Sequence, residues 1–218
     1  MTVAEGRPLE AALRAGLRAL GLTLTDAQVG QLLDYLGLIG KWTKVYNLTA
    51  VRDPQEMLTH HLLDSLAVVG PLRRQTGGHA VKLLDVGSGA GLPGVVMAIC
   101  CPEVDVHCVD TVAKKAAFIQ QVAATLRLPN LRGVHARVES LAGPYDVVSA
   151  RAFASLPELV NWSARALGEG GVWLAMKGKH PADELAALPA SVQVFHVEPL
   201  QVPGLAAERC IVWLRPVA

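Results

Sequence analysis

Several things are missing from this sequence, and each absence removes a class of protein. Its four cysteines (Cys100, Cys101, Cys108 and Cys210) form no Cys-x-x-Cys pair and are too sparse for a disulfide scaffold. Reduced, buried thiols in a cytoplasmic protein are expected instead. No grouping of His, Cys and Asp has metal-ligand spacing, so no metal is expected. The longest stretch without an acidic or basic residue, between Asp85 and Glu103, has 17 residues and includes four glycines and two prolines. A membrane helix needs about 20 mostly apolar residues, so the mean hydropathy of +0.34 points to a buried core rather than a span. The polar start (Glu5, Arg7, Glu10, Arg14) argues against a signal peptide. There is no internal repeat and no low-complexity tract.

An excess of charge is missing too. The net charge is +1, and residues 1–80 hold 8 basic against 7 acidic side chains. Such a chain can bind nucleic acid only if its basic residues gather on one face. What remains is an ordinary globular composition, 51% hydrophobic and 18% charged over 218 residues. That suits one domain with an extension.

The chain changes texture near residue 80. Before it, apolar residues recur at helical spacing: Leu9, Leu13, Leu17 and Leu20, then Val29, Leu32, Leu33, Leu36 and Ile39. Thr25 is placed to cap the second of these helices, which should run to about Trp42 or Lys44, and Asp53-Pro54 to open a third. That third helix carries Met57, His61, Leu62, Leu66 and Val69 and should stop before Pro71. A basic, Gly-containing linker, Arg73–His79, should follow. Residues 1–79 therefore read as a helical N-terminal extension and 80–218 as the catalytic domain. From Val81 on, short apolar runs (Val81–Val86, Val104–Val109, Leu131–Val134, Tyr145–Ala150, Gly171–Met176) alternate with helical segments (Leu92–Cys101, Val112–Leu126, Ser155–Leu167). This is the pattern of a mostly parallel, doubly wound α/β sheet. Val192–Val197 and Arg209–Leu214 are joined only by a loop, so an antiparallel pair should end the sheet. The class I methyltransferase fold closes this way.

The strongest local signal is Leu83-Leu84-Asp85-Val86-Gly87-Ser88-Gly89-Ala90-Gly91-Leu92-Pro93-Gly94. A strand runs into a glycine-rich turn and then a helix, a junction where ligands lie close to backbone. Residues 89–94 match the dinucleotide GxGxxG and 87–91 the GxGxG of S-adenosylmethionine enzymes. Gly87 directly follows the strand, Asp85 could help hold a cationic cofactor's amino-acid end, directly or through water, and no separate substrate domain is present. These favour S-adenosylmethionine over NAD, with Gly87, Ser88, Gly89, Gly91 and Leu92 against it. Asp110, followed by Thr111, ends the second strand. It could accept the ribose hydroxyls or cap the next helix. Val138 and Glu139 fit an adenine site, although Glu139 could also be a plain surface charge. Arg151 ends the fourth strand, where it could hold a guanine edge, a phosphate or the cofactor carboxylate, or pair with an acid. Lys177 follows the fifth strand, near Lys179, and suits either a phosphate contact or a solvated loop. Asn47 sits between helices, as a base-holding or a capping residue. One of His60 and His61 should pack inward.

With these residues in view, the chain resembles the bacterial 16S rRNA guanine-N7 methyltransferase family, known as RsmG or GidB. The resemblance runs from about Trp42 to Arg215 and is carried by Tyr46–Ala50, His61–Leu66, the Asp85–Gly94 loop, Asp110 with Lys114-Lys115, Arg137–Glu139, Ser149–Ser155, Met176–Gly178 and Glu208-Arg209. Cys210 departs from it, standing where relatives often have His. The resemblance implies that Gly87, Leu92, Val138, Glu139 and Arg151 contact S-adenosylmethionine and that the target is a guanine in the decoding region of the small ribosomal subunit. Arg151 and Asn47 are then the candidate catalytic residues, and Arg52, Lys177 and Lys179 the candidate RNA contacts, in a protein expected to be monomeric. N7 attack needs no general base, so positioning should dominate. A small-molecule methyltransferase, an NAD-dependent oxidoreductase and a non-catalytic RNA-binding module are the competing readings.

Overall fold

The structure is a computed structural model that describes the backbone of residues 3–217. Seven strands form one sheet in the order β3-β2-β1-β4-β5-β7-β6. They are β1 Val81–Val86, β2 Val104–Asp110, β3 Leu131–His135, β4 Tyr145–Arg151, β5 Leu167–Lys177, β6 Val192–Leu200 and β7 Arg209–Pro216. The first five run parallel. β7 pairs antiparallel with β5 on one side and with β6 on the other. The expected antiparallel pair is therefore present, with β7 inserted against β5 and β6 outermost.

Strand side chains alternate between two cores, as the two-residue period of a strand requires. Leu83, Val106, Cys108, Val147, Leu174 and Ile211 point to one face, whose helices are α6 Gly94–Cys100 and α7 Ala113–Thr125. Leu84, Val86, Val148, Trp173 and Val212 point to the other, under α8 Leu156–Ser163 and the short α9 Ala182–Ala186.

The N-terminal helices add an outer layer to the first face. α1 Val3–Ala19 and α2 Asp26–Tyr46 bury Leu9, Leu13, Leu32, Leu36 and Ile39 in the same core that holds Val95, Phe118 and Leu83. Truncating one such fully buried leucine to alanine would cost about 2–5 kcal/mol. Thr25 caps α2 as expected, in a reciprocal box with Gln28. The Gln28 amide also donates to the carbonyl of Ile99, 2.9 Å, and the Gln31 amide to that of Leu126, 2.9 Å. These carbonyls lie at the C-terminal ends of α6 and α7, where a helix has no partner of its own to offer. The extension thus completes the helices it covers.

After Asp53, whose carboxylate caps Gln55 and Glu56, comes α3 Pro54–Met57, a widened π turn over Leu58–Leu63, and α4 Asp64–Leu66. The chain then departs from expectation. The segment read as a basic linker is helical: α5 spans Val69–Thr76 and contains Pro71. Proline is tolerated there because the first turn of a helix has no use for its missing N–H. Arg73, within α5, donates to the Cys100 carbonyl, 2.6 Å. The helix after β4 is also shorter than expected and ends at Ser163, because Leu167 already belongs to β5.

Candidate active site

β1 delivers the chain to the glycine loop at the carboxyl edge of the sheet. Gly87 and Gly89 both adopt left-handed backbone, φ 63 and 59, which other residues adopt only at a cost. A Cβ on Gly87 would strike the ring of Phe153, whereas one on Gly89 would project into open space. Gly89 is therefore where a ligand can lie against bare backbone. The loop is fixed from below: Gly87 N–H donates to Val109 O, 2.9 Å, and Gly89 N–H to Asp110 Oδ2, 3.1 Å. It is also fixed from the extension, since the buried Tyr35 hydroxyl donates to Ala90 O at 2.7 Å.

Two cavities meet at Gly87 and Ala152. One, of about 310 Å³, is bounded by Asp110, Thr111, Val138, Glu139, Phe153 and Trp162. The other, of about 480 Å³, takes in the floor of the glycine loop, Leu92, Thr49, His61, Asp64, Arg151, Lys177 and Arg209. Ala152, at the junction, holds a left-handed φ of 50, a conformation that persists in non-glycine residues only where the surroundings impose it.

The expected cofactor residues fall along this double cavity, with two corrections. Gly91 faces Val95, Tyr35 and Ile119 instead of the cavity. Asp85 does not open onto it. Its carboxylate is fully buried and accepts from Gly94 N–H, 2.9 Å, and Ser149 Oγ, 2.8 Å. Burial pushes its pKa up to about 6. Asp85 ties the loop to the start of α6 and does not touch a ligand directly. Ser88 borders the cavity. Its hydroxyl is buried in the cavity floor and has no partner among the described residues. Asp110 borders the small cavity, accepts from Val112 N–H, 2.9 Å, just before α7, and faces Lys115, 3.5 Å. Glu139 pairs with Arg137 at 2.9 Å, and a backbone hydrogen bond first, then this pairing, holds its carboxyl below the usual range.

Arg151 donates through Nη1 to Asp64 Oδ2, 2.7 Å, and to the carbonyl of His60, 3.1 Å. The other Asp64 oxygen accepts from Arg209 Nε, 2.8 Å. Asp64 is buried, so one carboxylate fixes two guanidinium groups in the cavity wall. Beside them His61 is buried and bonded through Nε2 to Thr49 Oγ1, 2.9 Å. Burial first, then the Arg151 charge, pushes its imidazole down to about 4, so it is neutral at physiological pH.

Two expected residues are placed differently. Asn47 ends α2 in left-handed backbone, φ 50, and its side-chain oxygen accepts from Arg52. It borders neither cavity, so the capping alternative is the one realised. Lys177 reaches the cavity, but its ammonium is bound to Glu184, 2.7 Å, and to the Ala154 carbonyl, 2.9 Å. It is neither solvated nor free for a phosphate. Lys179 and Arg52 are exposed. Sequence reading left Asp64, Thr49 and Arg209 out of the site. All three lie in the family-like blocks, and an acid between apolar helix residues was the available signal. No grouping able to hold a metal occurs among the described residues, and none of their helices is long and apolar enough to cross a membrane.

A doubly wound sheet, a glycine loop open to a ligand, an orphaned serine hydroxyl and an acid ending β2 together define a class I S-adenosylmethionine-dependent methyltransferase. Solved structures agree on the fold. TrmN from Thermus thermophilus superposes with a TM-score of 0.56 at 16% identity, over 73% of this chain and 53% of its own. A SAM dependent methyltransferase from Aquifex aeolicus gives 0.54 at 14%, over 76% and 99%. The model of the family "rRNA small subunit methyltransferase G" matches residues 28–212, and the chain belongs to that family. Ribosomal RNA small subunit methyltransferase G of Acidovorax ebreus (strain TPSY) is 70% identical over 226 residues, covering 100% of both chains. That of Polaromonas sp. (strain JS666 / ATCC BAA-500) is 72% identical over 207 residues, covering 93% of this chain and 92% of its own.

Proposed function

We propose that the protein transfers a methyl group from S-adenosylmethionine to N7 of a guanine in 16S rRNA of the small ribosomal subunit. The observation that carries this reading is the junction of the two cavities. A cavity of about 310 Å³ bordered by Asp110 and Glu139 meets, at Gly87 and Ala152, a chamber whose wall includes Arg151 and Arg209, held by Asp64. The names of the relatives, at up to 72% identity, supply the small-subunit RNA.

Bound S-adenosylmethionine supplies an electrophilic methyl carbon on a sulfonium. Gly87, Ser88, Gly89, Leu92, Asp110, Thr111, Val138 and Glu139 are the residues that would hold it. Guanine N7 carries its own lone pair, so no proton has to leave first. The neutral His61 fits this requirement, because a base is unnecessary and an extra positive charge would repel the sulfonium. The work of this chain is to orient and to exclude water. Among the described residues, Arg151 Nε and Nη2 donate to nothing else, which leaves a guanidinium edge for guanine O6 or a phosphate. Asn47 acts through the turn that carries Leu48 and Thr49 into the cavity wall. Lys179 and Arg52 are the candidate phosphate contacts. The enzyme acts in the cytoplasm as a monomer.

The test is methyl transfer from labelled S-adenosylmethionine to small subunits lacking the modification, followed by the borohydride–aniline cleavage that N7-methylguanine permits. A single cleavage in the decoding region is the expected result. Label without cleavage would move the acceptor atom. Label on a small molecule with no ribosome present would overturn the substrate.

A further inference from the structure

Three of the five large apolar side chains that stay exposed among the described residues lie in the lining of the double cavity or two residues from it. Val112 and Trp162 border its smaller part. Tyr46, 45% exposed, comes two residues before Leu48, which borders the chamber. Single apolar residues scattered on a surface are ordinary, so the case for Tyr46 rests on how its ring is held.

Tyr46 is built to present its ring. It ends α2, and Trp42 one turn earlier braces it from one side, with centroids 4.9 Å apart. Trp42 is itself seated against the buried Phe118, 5.1 Å away. Lys114, from the first turns of α7, places its ammonium 6.0 Å from the Tyr46 centroid. Lys41, Lys44 and Arg52 are exposed on the same end of α2 and its following loop. None of these four cations is in an ion pair among the described residues. The neighbouring acid Asp53 is occupied as a cap, which leaves Glu56 as the exposed acid in this stretch. Tyr46 thus offers an exposed aromatic ring with the unpaired Lys114 beside it, while Lys41, Lys44 and Arg52 line a separate groove; a ring and a cation together suit single-stranded nucleic acid, where a base can stack and a phosphate can meet the charge.

We infer that Tyr46 is a stacking platform for the base of an unpaired nucleotide flanking the target guanine, with Lys114 set against its phosphate. This rests on the rRNA reading above. Two residues of chain span at most about 7 Å, so a nucleotide next to the one in the chamber can reach the ring. Tyr46 is here a positioning residue for the substrate and takes no part in methyl transfer.

The test compares wild type with Tyr46→Ala, Tyr46→Phe and Lys114→Ala. Methylation kinetics are measured on small subunits lacking the modification, alongside calorimetry of adenosylhomocysteine binding. Tyr46→Ala should raise KM for the subunit about 5- to 100-fold, the worth of one base–aromatic stack, with kcat and adenosylhomocysteine affinity unchanged. Tyr46→Phe should restore KM. Lys114→Ala should reduce the salt slope of binding by about 0.7, one single-strand phosphate contact. An unchanged KM in Tyr46→Ala overturns the platform, as does a loss that phenylalanine fails to restore or one shared with adenosylhomocysteine affinity. A defect on subunits that is absent in filter binding of a protein-free 16S rRNA fragment would assign the surface to a ribosomal protein and also overturn it. Wild type that leaves no N7-methylguanine would sink the rRNA reading itself, whereas an active wild type matched by Tyr46→Ala sinks the platform alone.

Discussion

Replacing Asp64 by alanine removes the carboxylate on which two cations of the chamber depend. Asp64 receives Arg151 Nη1 at 2.7 Å and Arg209 Nε at 2.8 Å, and its own side chain is 3% exposed. Removing one partner of a fully buried pair costs about 3–5 kcal/mol, because a charge is left without compensation. Here the two guanidinium side chains keep 20% and 23% of their exposure and can regain water. The expected cost of Asp64→Ala is therefore below that range, about 2–3 kcal/mol. A domain of ordinary stability, about 5–15 kcal/mol, survives that loss folded. Turnover should fall much further, because Arg151 loses the partner that sets its direction. The assay is a urea midpoint together with methyl-transfer kinetics, repeated for Arg151→Ala and for the double variant. The cycle should show a coupling of about 1–2 kcal/mol in stability. An Asp64→Ala protein with the wild-type midpoint, or a coupling of zero, would mean that the three side chains move independently in solution, and the account of the chamber would fail with it.

Tyr35→Phe strips the hydroxyl that holds Ala90 O. It should cost about 1 kcal/mol of stability and weaken adenosylhomocysteine binding by loosening the glycine loop, and calorimetry showing unchanged affinity would refute that link. Gly87→Ala sets a Cβ against the Phe153 ring in left-handed backbone. It should lower adenosylhomocysteine affinity by about tenfold or more, at 1.4 kcal/mol per factor of ten. His61 and Asp85 predict opposite pH slopes. His61 is pushed down to about 4 from 6.5, so it contributes stability that is full above 6.5 and lost as pH falls through 4. Asp85 is pushed up to about 6 from 3.8, so its contribution is full below 3.8 and lost as pH rises through 6. At about 1.4 kcal/mol per pH unit, each is worth at most about 3 kcal/mol. The two nearly cancel between pH 4 and 6. Urea midpoints of His61→Gln should therefore fall with rising pH in that window and those of Asp85→Asn should rise, and parallel profiles would refute both shifts.

Much of this was legible in the sequence. The strand positions, Thr25 and Asp53 as caps, the glycine loop and the antiparallel C-terminal pair all follow from short-range periodicity and local hydrogen bonding. What was not legible has a common physical origin. Asp64 looks like an ordinary helix acid until the fold brings Arg151 from 87 residues away and Arg209 from 145. Asp85 looks like a cofactor ligand until packing shows Gly94 and Ser149 consuming both of its oxygens. Lys177 looks free until Glu184, on a five-residue helix with no buried residue and no clear period, comes back over it. Each misreading is a polar side chain whose partner lies far away in the chain or in an element too short to leave a pattern. The linker at Arg73 failed for a different reason: Pro71 was read as a stop, although a proline in the first turn of a new helix is equally compatible with the same residues.

The division of labour across residue 80 follows from where each group originates. The floor of the cofactor site comes from strand ends and the glycine loop, all beyond residue 80. The opposing wall of the chamber comes from the extension: Leu48, Thr49, His60, His61 and Asp64. Two of these lie on the π turn, a widened turn that occurs mostly at functional sites. The extension also clamps the loop through Tyr35 and closes the ends of α6 and α7 through Gln28, Gln31 and Arg73. It cannot be an inert appendage, because its removal would leave Arg151 without Asp64, Ala90 without Tyr35, and a large apolar face of the sheet domain in water. The sheet supplies a cofactor site that many chemistries could share. The chamber itself is shared, because Leu48, Thr49, His61 and Asp64 of the first 79 residues close it against Arg151, Lys177 and Arg209 of the rest.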